Sequence, residues 1–286
     1  MFATGESFPG FEDPYLDLLK KCLTRFVFPD PCLPLRRPSR TAHPLAWAVY
    51  PAVSALAAAL EFAGLKIYRY VKFDPAARSE GRDWPAEADS MIGLRRLDNL
   101  HACIETVIRD RVPGDFIETG VWRGGACIFM RAALNAYGDR TRKIWVADSF
   151  EGLPKPDGRY GQDEGDIFWK FKSTLGISLD QVKSNFSRYG LLDERVCFLK
   201  GWFKDTLPIA PIDKLAIMRL DGDMYASTMD ALENLYPKLS SGGFVIVDDY
   251  GGVDTCRQAV EDFRERHKIN EPILRIDWTG AYWRKS

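Results

Sequence analysis

After Ser90, short apolar runs alternate with amphipathic segments, and this rhythm restricts the chain to a sheet whose strands are joined by crossover helices. The runs DFIETG (Asp115 to Gly120), KIWVAD (Lys143 to Asp148), VCFLKG (Val196 to Gly201), KLAIMRLDGD (Lys214 to Asp223) and GGFVIVDD (Gly242 to Asp249) read as strands. ILRID and AYWRK supply two closing strands. Ile92 to Arg109 repeats Leu94, Leu97, Leu100, Cys103, Ile104 and Val107 at helical spacing. Gly125 to Gly138 reads as a helix closed by its last glycine, and STMDALENLYPKL and CRQAVEDFRERH as two more. The expected fold class is α/β: a mostly parallel seven-stranded sheet with helices on both faces.

The first third of the chain has another character. Residues 14 to 27 read as a helix, with Asp13 as N-cap and Pro14 at its first position. A Pro- and Arg-rich linker follows from Pro29 to Pro44. Leu45 to Leu60 is apolar for 16 residues, flanked by Arg36, Arg37, Arg40 and by Lys66, Arg69, Lys72, with Pro51 in its middle. A spanning helix needs about 20 apolar residues. The expectation is therefore a packed or surface-lying helix ending near Lys72, with membrane-surface contact through 45–60 as a secondary reading. Residues 1–85 read as an N-terminal helical extension and linker, and 86–286 as the main domain. The start of the chain lacks a basic stretch followed by an apolar run, so a cytoplasmic protein is expected.

The balance of 39 basic against 40 acidic residues argues against a nucleic-acid partner, because a chain that grips a phosphate backbone is usually basic. The 6 cysteines form no Cys-x-x-Cys pair and read as small buried residues in a reducing compartment.

In an open α/β sheet, ligands sit at the carboxyl ends of the strands. The first strand of the main domain runs into Glu118-Thr119-Gly120-Val121-Trp122-Arg123-Gly124-Gly125. Gly120 permits a tight turn close to a ligand. The spacing differs from the Gly-x-Gly-x-x-Gly loop that receives a pyrophosphate. Glu118 suits a cationic ligand better than a phosphate, and S-adenosylmethionine carries both an ammonium and a sulfonium. Asp148, ending the second strand and followed by Ser149, is placed to accept hydrogen bonds from ribose hydroxyls. Gly201 and Trp202 follow the third strand and are candidates for an adenine pocket.

Asp221 and Asp223 end the fourth strand, and Asp248 and Asp249 the fifth. In a parallel sheet these ends are neighbours, and crowded carboxylates repel unless protonated or neutralised. No basic residue lies in either motif, LDGD or VDD, to neutralise them. A hard divalent cation such as Mg2+ on Asp221, Asp248 and Asp249 is the expected answer. Asp223 reads more naturally as the cap of the next helix. The three histidines, His43, His101 and His267, offer no rival centre, and Phe168, Trp169 and Phe171 read as a lid or as local packing.

These residues resemble the macrocin O-methyltransferase (TylF-type) family. The resemblance rests on YLDLLKKCLTRFVFPDP, GRDWPAEADSMIGLRRLDNL, DFIETGVWRGGACIFMRA, WVADSFEGLPKPD, LDGDMYASTMDALENLYPKLSSGGFVIVDDYG and DWTGAYWRK. It implies a Rossmann-like class I methyltransferase fold. It also implies S-adenosylmethionine and Mg2+ as cofactors, and methyl transfer to a metal-bound hydroxyl, typically on a sugar of a natural product or glycan. The family's metal carboxylates fall on Asp221, Asp248 and Asp249, with Asp221 our choice as general base. Its cofactor loop falls on Glu118 to Gly124, its second-strand acid on Asp148, and its Met-Ile-Gly segment on Met91, Ile92 and Gly93. The expected partners are a small-molecule or glycan hydroxyl acceptor and further copies of the chain. The competing readings are a catechol- or phenol-type O-methyltransferase, a cofactor-binding protein without turnover, and a NAD-dependent oxidoreductase.

Overall fold

A computed structural model describes residues 13–29, 32–34, 43–65, 67–70 and 72–286. The chain opens with α1 (Pro14–Leu23), β1 (Cys32–Pro34), α2 (Pro44–Phe62), β2 (Tyr68–Tyr70) and α3 (Pro75–Ser79). Then follow α4 (Gly93–Arg109), β3 (Asp115–Thr119), α5 (Gly125–Ala136), β4 (Ile144–Asp148), α6 (Lys172–Leu175) and α7 (Leu179–Arg188). The second half carries β5 (Val196–Lys200), α8 (Phe203–Thr206), β6 (Leu215–Leu220), α9 (Tyr225–Leu235) and β7 (Leu239–Val247). It closes with α10 (Asp254–Arg266), β8 (Leu274–Arg275) and β9 (Ala281–Arg284).

The large sheet has the order β5-β4-β3-β6-β7-β9-β8, with β3 to β7 parallel and β9 antiparallel to both neighbours. Its central strands are apolar at successive positions because both faces are covered. Phe116, Ile144, Val146 and Ile217 join the core under α1, α4, α5 and α7. Ile117, Trp145, Met218 and Leu220 join the core under α9 and α10. The strand order reverses between β3 and β6, so the crevice opens at their carboxyl ends.

Helix α1 is part of the core. Asp13 accepts the amides of Tyr15 and Leu16, and Leu16, Leu19 and Leu23 are buried with α4 and α5 residues. The Leu23 carbonyl accepts the amides of Asp89 and Ser90, each at 3.0 Å, which ties α1 to the segment entering the crevice. Leu23→Ala is expected to cost about 2–5 kcal/mol through lost burial and a residual cavity. Denaturant unfolding checks this, and a loss below about 1 kcal/mol would detach α1 from the core.

Several expectations need correction. The apolar helix stops at Phe62 and does not run to Lys72: Ala63 and Gly64 end it, and β2 follows, pairing antiparallel with β1 inside the expected linker. None of the residues of α2 is buried, so of the two expectations for it, packed or surface-lying, the second holds. Helix α7, not foreseen, places Val182 and Phe186 in the core. The flanking Arg36, Arg37, Arg40 and Lys66, and residues 1–12, lie outside the described residues.

Candidate active site

Backbone bonds bring the strand ends together. The Asp221 amide donates to Thr119, the Gly120 amide to Ala147, the Asp248 amide to Leu220, and the Gly201 amide to Asp148, at 2.9–3.0 Å. These ends border one cavity of about 680 Å³, within the range of small-molecule sites. Met91, Glu118, Gly120, Asp148, Ser149, Gly201 and Trp202 all line it, as do Asp221, Asp248 and Asp249. Thr119 and Gly124 do not. Thr119 is 1% exposed, and its hydroxyl has no partner among the described residues.

Asp148 organises the cofactor loop. Its Oδ2 accepts the Val121 amide at 2.8 Å and its Oδ1 the Phe150 amide at 2.6 Å. Burial raises its pKa, partly offset by these amides. Ser149 is committed locally: its hydroxyl donates to Gly152 and accepts from Glu151. Glu118 is 2% exposed, and its oxygens face the Arg219 guanidinium and the Cys127 thiol. Burial pushes its pKa up to about 7 against the pull of Arg219.

Asp221, Asp248 and Asp249 each offer one oxygen within 4.8 Å of the others. The Asp249 Oδ2 is buried without a hydrogen-bond partner among the described residues. Burial and neighbouring carboxylates raise Asp249 well above the usual range, Asp221 to about 6 and Asp223 to about 8. An orphaned acceptor beside crowded acids fits a hard divalent cation coordinated by oxygen.

Two readings of this cluster are corrected by the structure. A basic residue does neutralise these acids: Arg219, directly before the LDGD motif, donates to Glu118, to Asp221 at 3.0 Å and to Asp248. In a strand, residues two apart share a face, and that spacing from Arg219 to Asp221 was the available signal. Arg96 of α4 reaches Asp248 from the opposite side. Asp223 does not cap α9 either. The amides of Tyr225 and Ala226 are taken by Asp163, both at 2.9 Å, from the long β4–α7 connection.

The same connection brings Phe168 and Phe171 to the cavity wall, whereas Trp169 donates to Asp166 and lies under Lys155. Arg82, Trp84 and Trp278 complete the wall. The histidines are elsewhere. His43 accepts the Leu45 amide at the start of α2, His101 bonds Tyr137, and His267 packs on Phe263.

These shifts set a pH dependence for the metal-free protein. An acid whose pKa rises on folding holds native-state protons that the unfolded chain has released, so stability falls as pH climbs from the unfolded to the folded value. The ordinary values are 3.8 and 4.5, and the folded ones reach about 6, 7 and 8 for Asp221, Glu118 and Asp223. The carboxylates with lowered pKa are already fully ionised above about pH 5. Melting temperature in EDTA is therefore expected to fall from about pH 5 to 8. Mg2+ should flatten the slope by replacing the protons. Parallel thermal scans with and without metal check both statements.

The chain matches the macrocin-O-methyltransferase (TylF) family over residues 12–285. It is 50% identical, over 95% of this chain and 92% of the relative, to 8-demethyl-8-(2,3-dimethoxy-alpha-L-rhamnosyl)-tetracenomycin-C 4'-O-methyltransferase of Streptomyces olivaceus. It is 46% identical, over 95% and 96% of the two chains, to mycinamicin III 3''-O-methyltransferase of Micromonospora griseorubida. The solved structure of the O-methyltransferase NovP superposes with a TM-score of 0.80 at 44% identity, covering 96% of this chain and 98% of that one. The fold is thus the Rossmann-like class I methyltransferase fold. With that match running almost end to end and relatives near half identical, the protein belongs to the TylF family of O-methyltransferases.

Proposed function

We propose that this O-methyltransferase uses S-adenosylmethionine and Mg2+ to methylate a hydroxyl on a sugar of a glycosylated natural product. One observation carries the reading: Asp221, Asp248 and Asp249 converge in the same cavity as the glycine turn after β3. The names of the relatives support the acceptor class: one is a 4'-O-methyltransferase of a rhamnosyl-tetracenomycin, the other a 3''-O-methyltransferase of mycinamicin III.

In this reading Met91, Glu118, Gly120, Asp148, Ser149, Gly201 and Trp202 hold the methyl donor, while Thr119 and Gly124, which do not line the cavity, shape the turn behind them. Asp148 meets its ribose, and Asp221, Asp248 and Asp249 hold the cation. The donor supplies an electrophilic methyl group, and the cation supplies Lewis-acid polarisation of a hydroxyl. Asp221 receives the acceptor's proton on a carboxylate oxygen. Burial raises its pKa to about 6 in the metal-free site, and a bound cation would pull that value down, so its part as base rests on its place beside the cation and not on that shift. The aromatic wall excludes water and orients the acceptor. We place the enzyme in the cytoplasm, read residues 1–85 as an N-terminal extension whose α1 packs into the core of the main domain, and assign the exposed apolar α2 to self-association.

Calorimetric titration with S-adenosylhomocysteine, with and without Mg2+, tests the donor. A panel of glycosides and catechols with labelled S-adenosylmethionine tests the acceptor. Failure of folded protein to bind S-adenosylhomocysteine would reject the donor. Catechols methylated faster than glycosides would reject the sugar.

A further inference from the structure

Five buried groups of alternating charge run through the middle of the site. Glu118 pairs with Arg219, Arg219 with Asp248, Asp248 with Arg96, and Arg96 with Asp277. All five are more than nine-tenths buried. Asp277 in turn accepts the amides of Thr279 and Gly280, and the Thr279 hydroxyl donates to the Asp248 carbonyl at 2.9 Å. The DWTG turn near the C-terminus is thus a brace behind one of the proposed metal ligands.

Arg219 has the central place. It is 1% exposed and donates to Asp221 and Asp248, two of the three proposed ligands, so its positive charge stands beside the carboxylates that would hold a cation. Carboxylates this close repel each other, and removing a buried partner leaves uncompensated charge. An internal guanidinium solves this without any bound ion. We propose that Arg219 is the resident counter-ion of the carboxylate site: it holds Asp221 and Asp248 in place when metal is absent and competes with metal for them. The inference rests on the metal reading given above. It assigns Arg219 a positioning role, with Arg96 and Asp277 fixing the far side of Asp248.

A side chain that merely supports the fold and a competing counter-ion predict opposite results. If Arg219 only props the site, Arg219→Gln lowers the melting temperature equally in EDTA and in Mn2+, and weakens Mn2+ binding. If it is the counter-ion, Arg219→Gln leaves the acids bare, and Mn2+ takes over its task. The expected result is a melting temperature far below wild type in EDTA, largely recovered in Mn2+. Mn2+ should also bind about tenfold or more tightly by calorimetry, because a like charge beside the ion is gone. Arg219→Lys keeps the charge, so its EDTA deficit should be small. Should Arg219→Gln not fold, Arg219→Gln with Glu118→Gln removes one positive and one negative charge together and serves as the soluble comparison. Its Mn2+ affinity should again exceed wild type. Equal deficits in both buffers, or weaker Mn2+ binding by the soluble variants, overturn the counter-ion role while wild-type Mn2+ binding leaves the metal reading standing. Absence of Mn2+ binding by wild type overturns both.

Discussion

Asp221→Asn is expected to lower kcat/KM by about a thousandfold or more while S-adenosylhomocysteine affinity stays within about threefold. Asparagine keeps the volume and can still accept from Arg219, which meets Asp221 at 3.0 Å, so the loop should hold. What disappears is charge and basicity. An amide is a poor ligand beside the orphaned Asp249 oxygen and cannot take the acceptor's proton. Losing a positioned base alone costs about 10²–10⁴ in rate, and weaker cation binding adds to it. Single-turnover kinetics at saturating Mg2+, paired with Mn2+ titration, divides the two roles. Unchanged Mn2+ affinity with lost turnover assigns Asp221 to proton transfer. Loss of both assigns it to the ligand set. Near-full activity with normal cofactor binding would defeat both assignments.

How much of this could be read in advance follows the range of the forces involved. The seven strands of the main sheet were legible because burial on both faces writes an apolar run into the sequence, as in KIWVAD and KLAIMRLDGD. The convergence of Asp221 with Asp248 followed from parallel neighbours ending at one edge, and the β6–β7 register, Leu220 opposite Val247, places them there. Arg219 was missed inside its own strand. A charged residue in a buried run reads as an exception until the acids that pay its desolvation are known, and two of those, Glu118 and Asp248, come from other strands.

Longer-range pairings left no local trace. Asp163 caps α9 from 62 and 63 residues away, so the acid next to the helix in sequence, Asp223, looked like the cap. Asp223 instead sits in a left-handed backbone conformation with φ +54° on the cavity wall. Helix α2 left two expectations open, packed or surface-lying, and composition could not choose between them; no residue of it is buried, so the second holds.

Gly120→Ala is expected to lower the melting temperature by about 10 °C or more and to weaken S-adenosylhomocysteine binding, because it breaks the joint between the cofactor turn and the metal loop. A Cβ on Gly120 would stand 1.7 Å from the Asp221 carbonyl oxygen, a backbone atom with no rotamer to yield. The backbone there is pinned: the Asp221 amide donates to Thr119 and the Gly120 amide to Ala147. Relief therefore requires β3 and β6 to part at the switch point, which moves Asp221 away from Asp248. The left-handed φ of +83° adds about 1–2 kcal/mol of its own. Gly138 supplies the control. Its φ is +71°, and nothing lies within 4 Å of the added carbon. Gly138→Ala should therefore show the conformational cost alone, with cofactor affinity intact. Thermal scans and calorimetry on the two variants side by side separate the terms. Equal losses of stability with equal cofactor affinity would mean that the close approach of Gly120 to Asp221 does not govern the site.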